Sequence, residues 1–191
     1  MPSGLARFSL TELGGYLNLN GELWSHIVKL DDTVNIAGFS CGEPVIDVWL
    51  HRDSLQQQEE GGCTVYVAVD GNGVVIGFFS LSMHYLQRRT VPGTVKEELS
   101  LSGNIPCVLL GRFGVDSRFR GEKYRANGGI SQGPLLIREA IAQAKKSADS
   151  IGCRLMYVQA MNDDLVKWYA KQGFASMPKN PRNMALDLKK H

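Results

Sequence analysis

Alternating apolar and polar positions mark two strands joined by a tight turn. Residues 63–70 (CTVYVAVD) alternate and are rich in β-formers, GNG follows at 71–73, and VVIGFFSLS runs over 74–82. This pattern predicts a β-hairpin. PCVLLGRFGV (106–115) is almost continuously apolar, as expected of a central strand covered on both faces. A helical period takes over from Pro134 to Ser150, with Leu136, Ile137, Ala140, Ile141, Ala144 and Ala148 on one face. Pro134 suits the first helical position and Gly152 a left-handed cap. CRLMYVQA (153–160) predicts another strand. Asn162 then caps a short helix whose first turn carries Asp163 and Asp164, favourable charges at a helix start. Gly173 closes that helix, and a final stretch from Phe174 ends in the strand-like NMALDL (183–188).

Upstream, Gly42 and Pro44 precede Val48, Trp49 and Leu50, which predicts a helix from about Pro44 to Gln58. Residues 86–104 are polar and broken by Pro92-Gly93 and Gly103, the signature of a long loop. Residues 1–35 show no clean period and are read as an N-terminal extension or arm, ahead of a domain spanning 36–191. The order of helix, hairpin, long strand, glycine/arginine loop, helix, strand, short helix and strand defines an α/β (α+β) fold, a mixed sheet flanked by helices.

Composition narrows the class. With 43% hydrophobic and 21% charged residues the chain matches an ordinary globular domain. No apolar run is long enough to span a bilayer, and MPSGLARFSLTELGGYLNLN lacks the apolar core of a signal peptide, so a cytoplasmic location is expected. Cys41, Cys63, Cys107 and Cys153 stand far apart with no Cys/His cluster, so free thiols are expected and a metal site is not. The net charge of +2 hides an asymmetry. Residues 1–117 carry 7 Lys/Arg against 13 Asp/Glu (−6), and residues 118–191 carry 14 against 6 (+8). A basic half suits a polyanionic ligand, either a phosphorylated cofactor or nucleic acid; the alternative is a lysine-rich solvated surface.

Two stretches carry candidate chemistry. VDSRFRG (115–121), followed by Gly128, Gly129 and Gly133 and then a helix, has the form of a phosphate cradle. Backbone N–H groups and the helix dipole favour an anion there, and glycines admit a pyrophosphate. No G-K-[ST] follows, so it is not a Walker A loop. NDDLVKWYAKQGF (162–174) sets Tyr169 one turn after Leu165. That tyrosine is either part of the core or a phenol positioned as a proton donor.

Strand, R-G loop, L-L helix, strand, Asn, then W-Y-A-K-Q-G-F together resemble the GNAT superfamily of N-acetyltransferases. FSCGEPVIDVWL, the hairpin ending IGFFSLS, and PCVLLGRFGVD resemble more narrowly the GNAT toxins of bacterial toxin–antitoxin pairs, over residues 38–188. The resemblance implies a GNAT fold with a splayed cleft for acetyl-CoA as acetyl donor. It implies that Phe113, Gly114 and Val115 face the cofactor, and that the Arg118–Gly133 loop (Arg118, Arg120, Gly121, Gly128, Gly129, Gly133) holds its pyrophosphate. Asn162 would contact the cofactor, and Tyr169 would protonate the departing thiolate. Implied partners are aminoacyl-tRNA, a ribbon-helix-helix antitoxin and a second copy of the chain. Two departures are visible: residues 120–129 insert extra length before Leu135-Leu136, and the stretch before Phe39 is longer than is usual in the toxins resembled.

Acetyl transfer to an amine needs a neutral amine close to the thioester, a donor for the oxyanion and a proton for the thiolate. Neither His84 nor Glu43 can be placed as a base from sequence. An α-amino group, with an unperturbed pKa of about 7.7–8.0, offers a useful neutral fraction without one. Three readings stay open: an acetyltransferase of aminoacyl-tRNA, a general acetyltransferase of small-molecule or protein amines, and a non-catalytic acyl-CoA-binding module.

Overall fold

The structure, a computed structural model, describes residues 21–97, 100 and 102–190. Seven strands form one sheet in the order β1-β2-β3-β4-β5-β7-β6. They are β1 (His26–Lys29), β2 (Thr64–Val69), β3 (Val75–Gln87), β4 (Asn104–Val115), β5 (Leu155–Gln159), β6 (Ala175–Ser176) and β7 (Asn183–Asp187). Every neighbouring pair is antiparallel except β4 and β5, which run parallel. A parallel pair requires a crossover, and α5 (Gln132–Ile151) supplies it.

The apolar stripe of α5 lies on one face of the sheet. Leu135, Leu136, Ile137, Ala140, Ile141, Ala144 and Ala148 are buried there against Ile76 and Phe79 of β3 and Val108, Leu110 and Val115 of β4. Gly152 stops the helix at φ 70°, as its position in the sequence predicts. The opposite face is covered at one end by α1 (Pro44–Val48), a π-helical turn (Trp49–Asp53) and α2 (Ser54–Glu59). These bury Ile46, Trp49 and Leu50 against Val65, Val67 and Phe78. At the other end Val91 and Val95, the latter on α3 (Gly93–Lys96), cover Leu86, Ile105, Cys107 and Leu155.

Three expectations change. Residues 21–35 are not all arm. His26–Lys29 pair with Lys29↔Tyr66 through His26↔Val69, and Trp24 and Leu30 are buried, so the sheet begins inside the supposed extension. Residues 1–20 of that extension lie outside the described residues. Strand β3 continues to Gln87, pairing with β4 as far as Asn104, so the first residues of the supposed loop are strand. The glycine/arginine stretch after β4 contains a 3-10 turn (Ser117–Phe119) and the helix α4 (Gly121–Ala126).

Helix α5 and strand β3 meet at Gly77. A Cβ there would lie 2.6 Å from Leu136 Cδ2 and 2.9 Å from the Gly114 carbonyl oxygen, whereas one on Gly71 would meet nothing within 4 Å. Gly77→Ala is therefore expected to destabilise the chain by about 1–3 kcal/mol, the usual cost of overpacking, and Gly71→Ala to change it little. Urea midpoints of the two variants check this, and equal midpoints would contradict the close contact of helix and strand.

Candidate active site

The site follows from how far β4 is paired on each side. Its partner β3 accompanies it from Asn104 to Val115. Its partner β5 accompanies it only from Cys107 to Leu110, where Leu110 pairs with Val158. From Gly111 to Val115 the β5 side of β4 has lost its neighbouring strand. Gly111 is the residue skipped in the register between Ser80↔Arg112 and Leu81↔Leu110, and the Ser80 hydroxyl accepts the Arg112 N–H at 2.9 Å across that bulge. Asp116 N–H donates to Ile76 O at 2.9 Å on the β3 side. Backbone groups alternate along a strand, so the N–H groups of Phe113 and Val115 face the parting. Gly114, between them, has its face closed by Phe78, Cys41 and Phe39.

The far wall of the parting is α6 (Asp163–Lys171). Asn162 is its N-cap, its Oδ1 accepting from Leu165 N–H at 2.9 Å. Trp168 and Tyr169 follow two turns later. The Phe113 and Trp168 rings lie 5.7 Å apart, Trp168 and Tyr169 4.9 Å, and Tyr169 and Phe174 5.5 Å, a row of edge-on and tilted contacts that runs from β4 through α6. Tyr169 is 5% exposed. Burial raises its phenol well above the ordinary tyrosine value, so it stays protonated throughout the neutral range.

The pyrophosphate loop differs from the expected open cradle. Arg118 donates from Nε and Nη2 to the two oxygens of buried Asp116 at 2.8 and 2.9 Å, and its own N–H joins them at 2.9 Å. Asp116 also accepts from Ser40 N–H at 3.3 Å, tying the loop before α1 to the end of β4. Arg120 turns its Nη2 onto the Cys41 carbonyl oxygen. The inserted residues form α4 and fold back, so the Tyr124 ring fills the space over Gly129, 2.4 Å from where a Cβ would stand. Gly133, in the first turn of α5, lies under Trp168, whose Cζ2 is 3.3 Å from the corresponding point. Gly121 and Gly128 have φ 85° with open space around them, backbone that a side chain would strain. Ser131 stands at the N-cap of α5, and its side chain makes no capping hydrogen bond there.

Several residues that shape the site were missed by sequence reasoning. Gln132 is 1% exposed; its Oε1 accepts from Leu23 N–H at 3.0 Å and its Nε2 donates to Gly21 O at 3.2 Å, fastening residues 21–23 to the start of α5. Trp168 touches Phe113, Tyr169 and Gly133 at once. Arg112 stands with its guanidinium carbon 5.5 Å from the Trp49 ring centroid. A lone arginine inside an otherwise apolar strand was the signal available for it. Glu43 is exposed before α1, and His84 is exposed on β3 with its ring stacked on Tyr157 at 5.3 Å. Among the described residues no group of His, Cys, Asp and Glu could hold a metal ion.

A seven-stranded mixed sheet parted beside β4, with a glycine-rich turn and long helix following that strand, is the GNAT acyltransferase fold. Comparison with known proteins points to one branch of that superfamily. The chain is 29% identical over 161 residues to a tRNA-acetylating toxin of Mycobacterium tuberculosis (strain ATCC 25618 / H37Rv), covering 84% of this chain and 90% of the toxin. Its structure is similar to AtaT complexed with acetyl-methionyl-tRNAfMet, with TM-score 0.73 and 20% identity over 86% of this chain and 95% of AtaT. It is equally similar to a Tyr-to-Phe mutant of KacT, with TM-score 0.73 and 22% identity over 86% of this chain and 95% of KacT. No family model matches the chain. The resemblance to GNAT proteins, and within them to the acetylating toxins, is borne out.

The Arg118–Asp116 pair has a direct consequence. Arg118→Ala is expected to cost about 1 kcal/mol, the low end for a charge-assisted bond because the arginine is half exposed. Its affinity for acetyl-CoA stays within about threefold of the parent, less than one such bond is worth. Calorimetric titration and a melting curve on the same sample check it. A lost affinity at unchanged melting temperature would put Arg118 back at the pyrophosphate.

Proposed function

We propose that this chain is an acetyl-CoA-dependent N-acetyltransferase whose acceptor is the α-amino group of aminoacyl-tRNA. The observation that carries the reading is the parting of β4 from β5 past Leu110, with Tyr169 on its far wall. The named relative, a tRNA-acetylating toxin, and AtaT with its acetylated tRNA supply the acceptor class. AtaT has also been solved bound with acetyl-CoA and with the antitoxin AtaR. A corresponding antitoxin partner for this chain is part of the same reading.

In it, the pantetheine arm lies along Gly111–Val115 as the strand that β5 does not provide. The acetyl-CoA pyrophosphate sits at the first turn of α5, beside Gly121, Gly128 and Arg120. The amine nitrogen attacks the thioester carbon, and the C–N bond forms. A backbone N–H in the Phe113–Val115 segment holds the oxyanion. As the C–S bond breaks, its electron pair goes to sulfur and the Tyr169 hydroxyl supplies the thiolate with a proton; the amine's surplus proton leaves to solvent. Both N–H donation in a site sheltered from water and a neutral phenol fit this chemistry. Asn162, whose Oδ1 is occupied by the α6 cap, acts by fixing the start of that helix.

Tyr169→Phe tests the proton donor. Turnover is expected to fall by roughly 10²–10⁴-fold, the range for a positioned acid. Acetyl-CoA affinity survives, and stability drops by at most about 1.5 kcal/mol, the worth of one hydrogen bond. Near-normal turnover in steady-state assays would remove Tyr169 from the chemistry.

The +8 charge of residues 118–191 supports the polyanionic acceptor. Lys145 and Lys146 on α5, and Lys167 and Lys171 on α6, are its candidate phosphate contacts. Lys167 reaches Asp164 at 3.2 Å, a pair so exposed that tRNA phosphates can displace it. Binding of tRNA, followed by filter retention, is expected to weaken steeply as salt rises, because phosphate contacts release counterions. Salt-independent binding, or none at low salt, would instead favour a small-molecule or protein amine as acceptor. Labelled acetyl-CoA offered to aminoacyl-tRNA, amine and protein pools in parallel decides between these acceptors, and labelling of none would leave an acyl-CoA-binding module.

A further inference from the structure

Three aromatic rings that the acetyl-transfer chemistry does not use stand in a row across β3, β4 and β5. His84 and Tyr85 are consecutive on β3, and Tyr157 is on β5. The His84 ring lies 5.3 Å from that of Tyr157, with 15° between their planes. It lies 5.8 Å from that of Tyr85, with 19° between their planes. His84 thus joins the other two, and the three planes are nearly parallel. Tyr157 is the rooted end, half-buried against the core that holds Cys107 and Leu155. Tyr85 is the open end, 58% exposed. Aromatic rings stabilise a fold by being buried, and that does not explain this row, because His84 and Tyr85 both stay in water.

The rooted end adjoins the parting. Tyr157 pairs with Leu109, one pair before Val158↔Leu110, where β5 leaves β4. Its neighbours Met156 and Val158 enter the core beneath α5, so alternation turns Tyr157 to the opposite face. His84 shares that face, since it pairs with Cys107 of the core there. Beyond the open end, β3 runs into an open hollow of about 380 Å³ lined by Gln87, Arg88, Arg89, Gly103 and Asn104. Among the described residues that lining carries two cations and no carboxylate. Arg88 is anchored, its Nη1 donating to Lys96 O at 3.0 Å. Arg89 is exposed, with its Nε on Gln87 Oε1 at 2.7 Å.

We infer that this row is a stacking platform for the unpaired 3′ nucleotides of the aminoacyl-tRNA acceptor, with Arg88 and Arg89 beside it for the backbone phosphates. The inference rests on the acetyltransferase reading and gives the acceptor's nucleotides a place within it. Every base has a π-face, so exposed aromatic rings hold a single strand with little regard to its sequence. A paired stem keeps those faces inside its own stack and has none to offer. The phosphates of such a strand need cations, and guanidinium groups match them in charge and shape. The aminoacyl group hangs from the last nucleotide. Bases laid on the row therefore bring that group to the parting from the face away from α5, across β4 from the proposed pyrophosphate site. A small amine without nucleotides gains nothing from these rings. Tyr85, His84, Arg88 and Arg89 bind and place the acceptor, and they exchange no proton with the reacting atoms.

Three variants of the full chain test this. Tyr85 is exposed, so its replacement leaves the fold intact. Tyr85→Leu keeps the apolar bulk and loses the π-face. It is expected to raise the KM for aminoacyl-tRNA about fivefold or more, the low end for one stacked base, and to leave that for acetyl-CoA within about twofold. Tyr85→Phe keeps the ring and the parental KM. An amino-acid ester without nucleotides is acetylated by Tyr85→Leu as well as by the parent. Arg89→Ala lowers the slope of log affinity for tRNA against log salt by about one, the loss of one phosphate contact. An unchanged aminoacyl-tRNA KM in Tyr85→Leu, the same loss in Tyr85→Phe, or an equal loss with the ester would overturn the platform. Filter retention of uncharged tRNA by the parent and Tyr85→Leu separates this from the chemistry. A parent that acetylates no acceptor, while its tRNA binding still weakens in Tyr85→Leu, overturns the enzymatic reading and keeps the platform.

Discussion

The arrangement depends on one mismatch in strand pairing. β4 is bound along its whole length by β3 but for only four residues by β5. A strand edge left unpaired inside a fold must find other partners for its N–H and C=O groups. In an open sheet that need is a liability, since any extended chain can add to the edge. Here α6 stands beside the edge, with its Trp168 ring 5.7 Å from the ring of Phe113. Shelter and unmet hydrogen bonding thus arise from the same feature.

What keeps the parting open is packing on its two banks. On one, the bulge at Gly111 breaks the register and the small residues Gly111 and Gly114 leave room beside Ser80, Phe78 and Phe39. On the other, Trp168 is wedged between Phe113 and Gly133 and carries Tyr169 behind it. The same tryptophan therefore links β4, the start of α5 and the Tyr169 phenol. Asp116 performs a parallel task at the end of β4, joining the loop before α1 to the turn after the strand through Ser40 and Arg118. Both the loop before α1 and the helix α6 are thus fastened to β4.

Much of the fold was legible because its periods are strong. β2, the start of β3, β4, α5 and α6 appear within two or three residues of their expected bounds, since apolar alternation and a helical stripe report burial directly. β1 was illegible: HIVK is a four-residue edge strand, and only its pairing with β2 makes it a strand. The extension of β3 through MHYLQ was hidden for the same reason, because its outer half is exposed. α4 has no buried residue and so no apolar stripe to read. Within the site, Tyr169 could be named because a local run of residues carries it. Gln132 could not, since its partners Leu23 and Gly21 lie 109 and 111 residues away along the chain. The Arg118–Asp116 ion pair could not be read from the sequence, because a cation near a glycine loop suggests phosphate before it suggests a carboxylate two residues away.

The central claim is that acetyl-CoA occupies the unpaired edge of β4. Amide hydrogen exchange resolved by residue, with and without saturating acetyl-CoA, reads that edge directly. The account predicts that the Phe113 and Val115 amides exchange more slowly when the ligand is bound, while Gly114, already turned toward β3, changes little. Bound ligand with unaltered exchange at Phe113 and Val115 would contradict it.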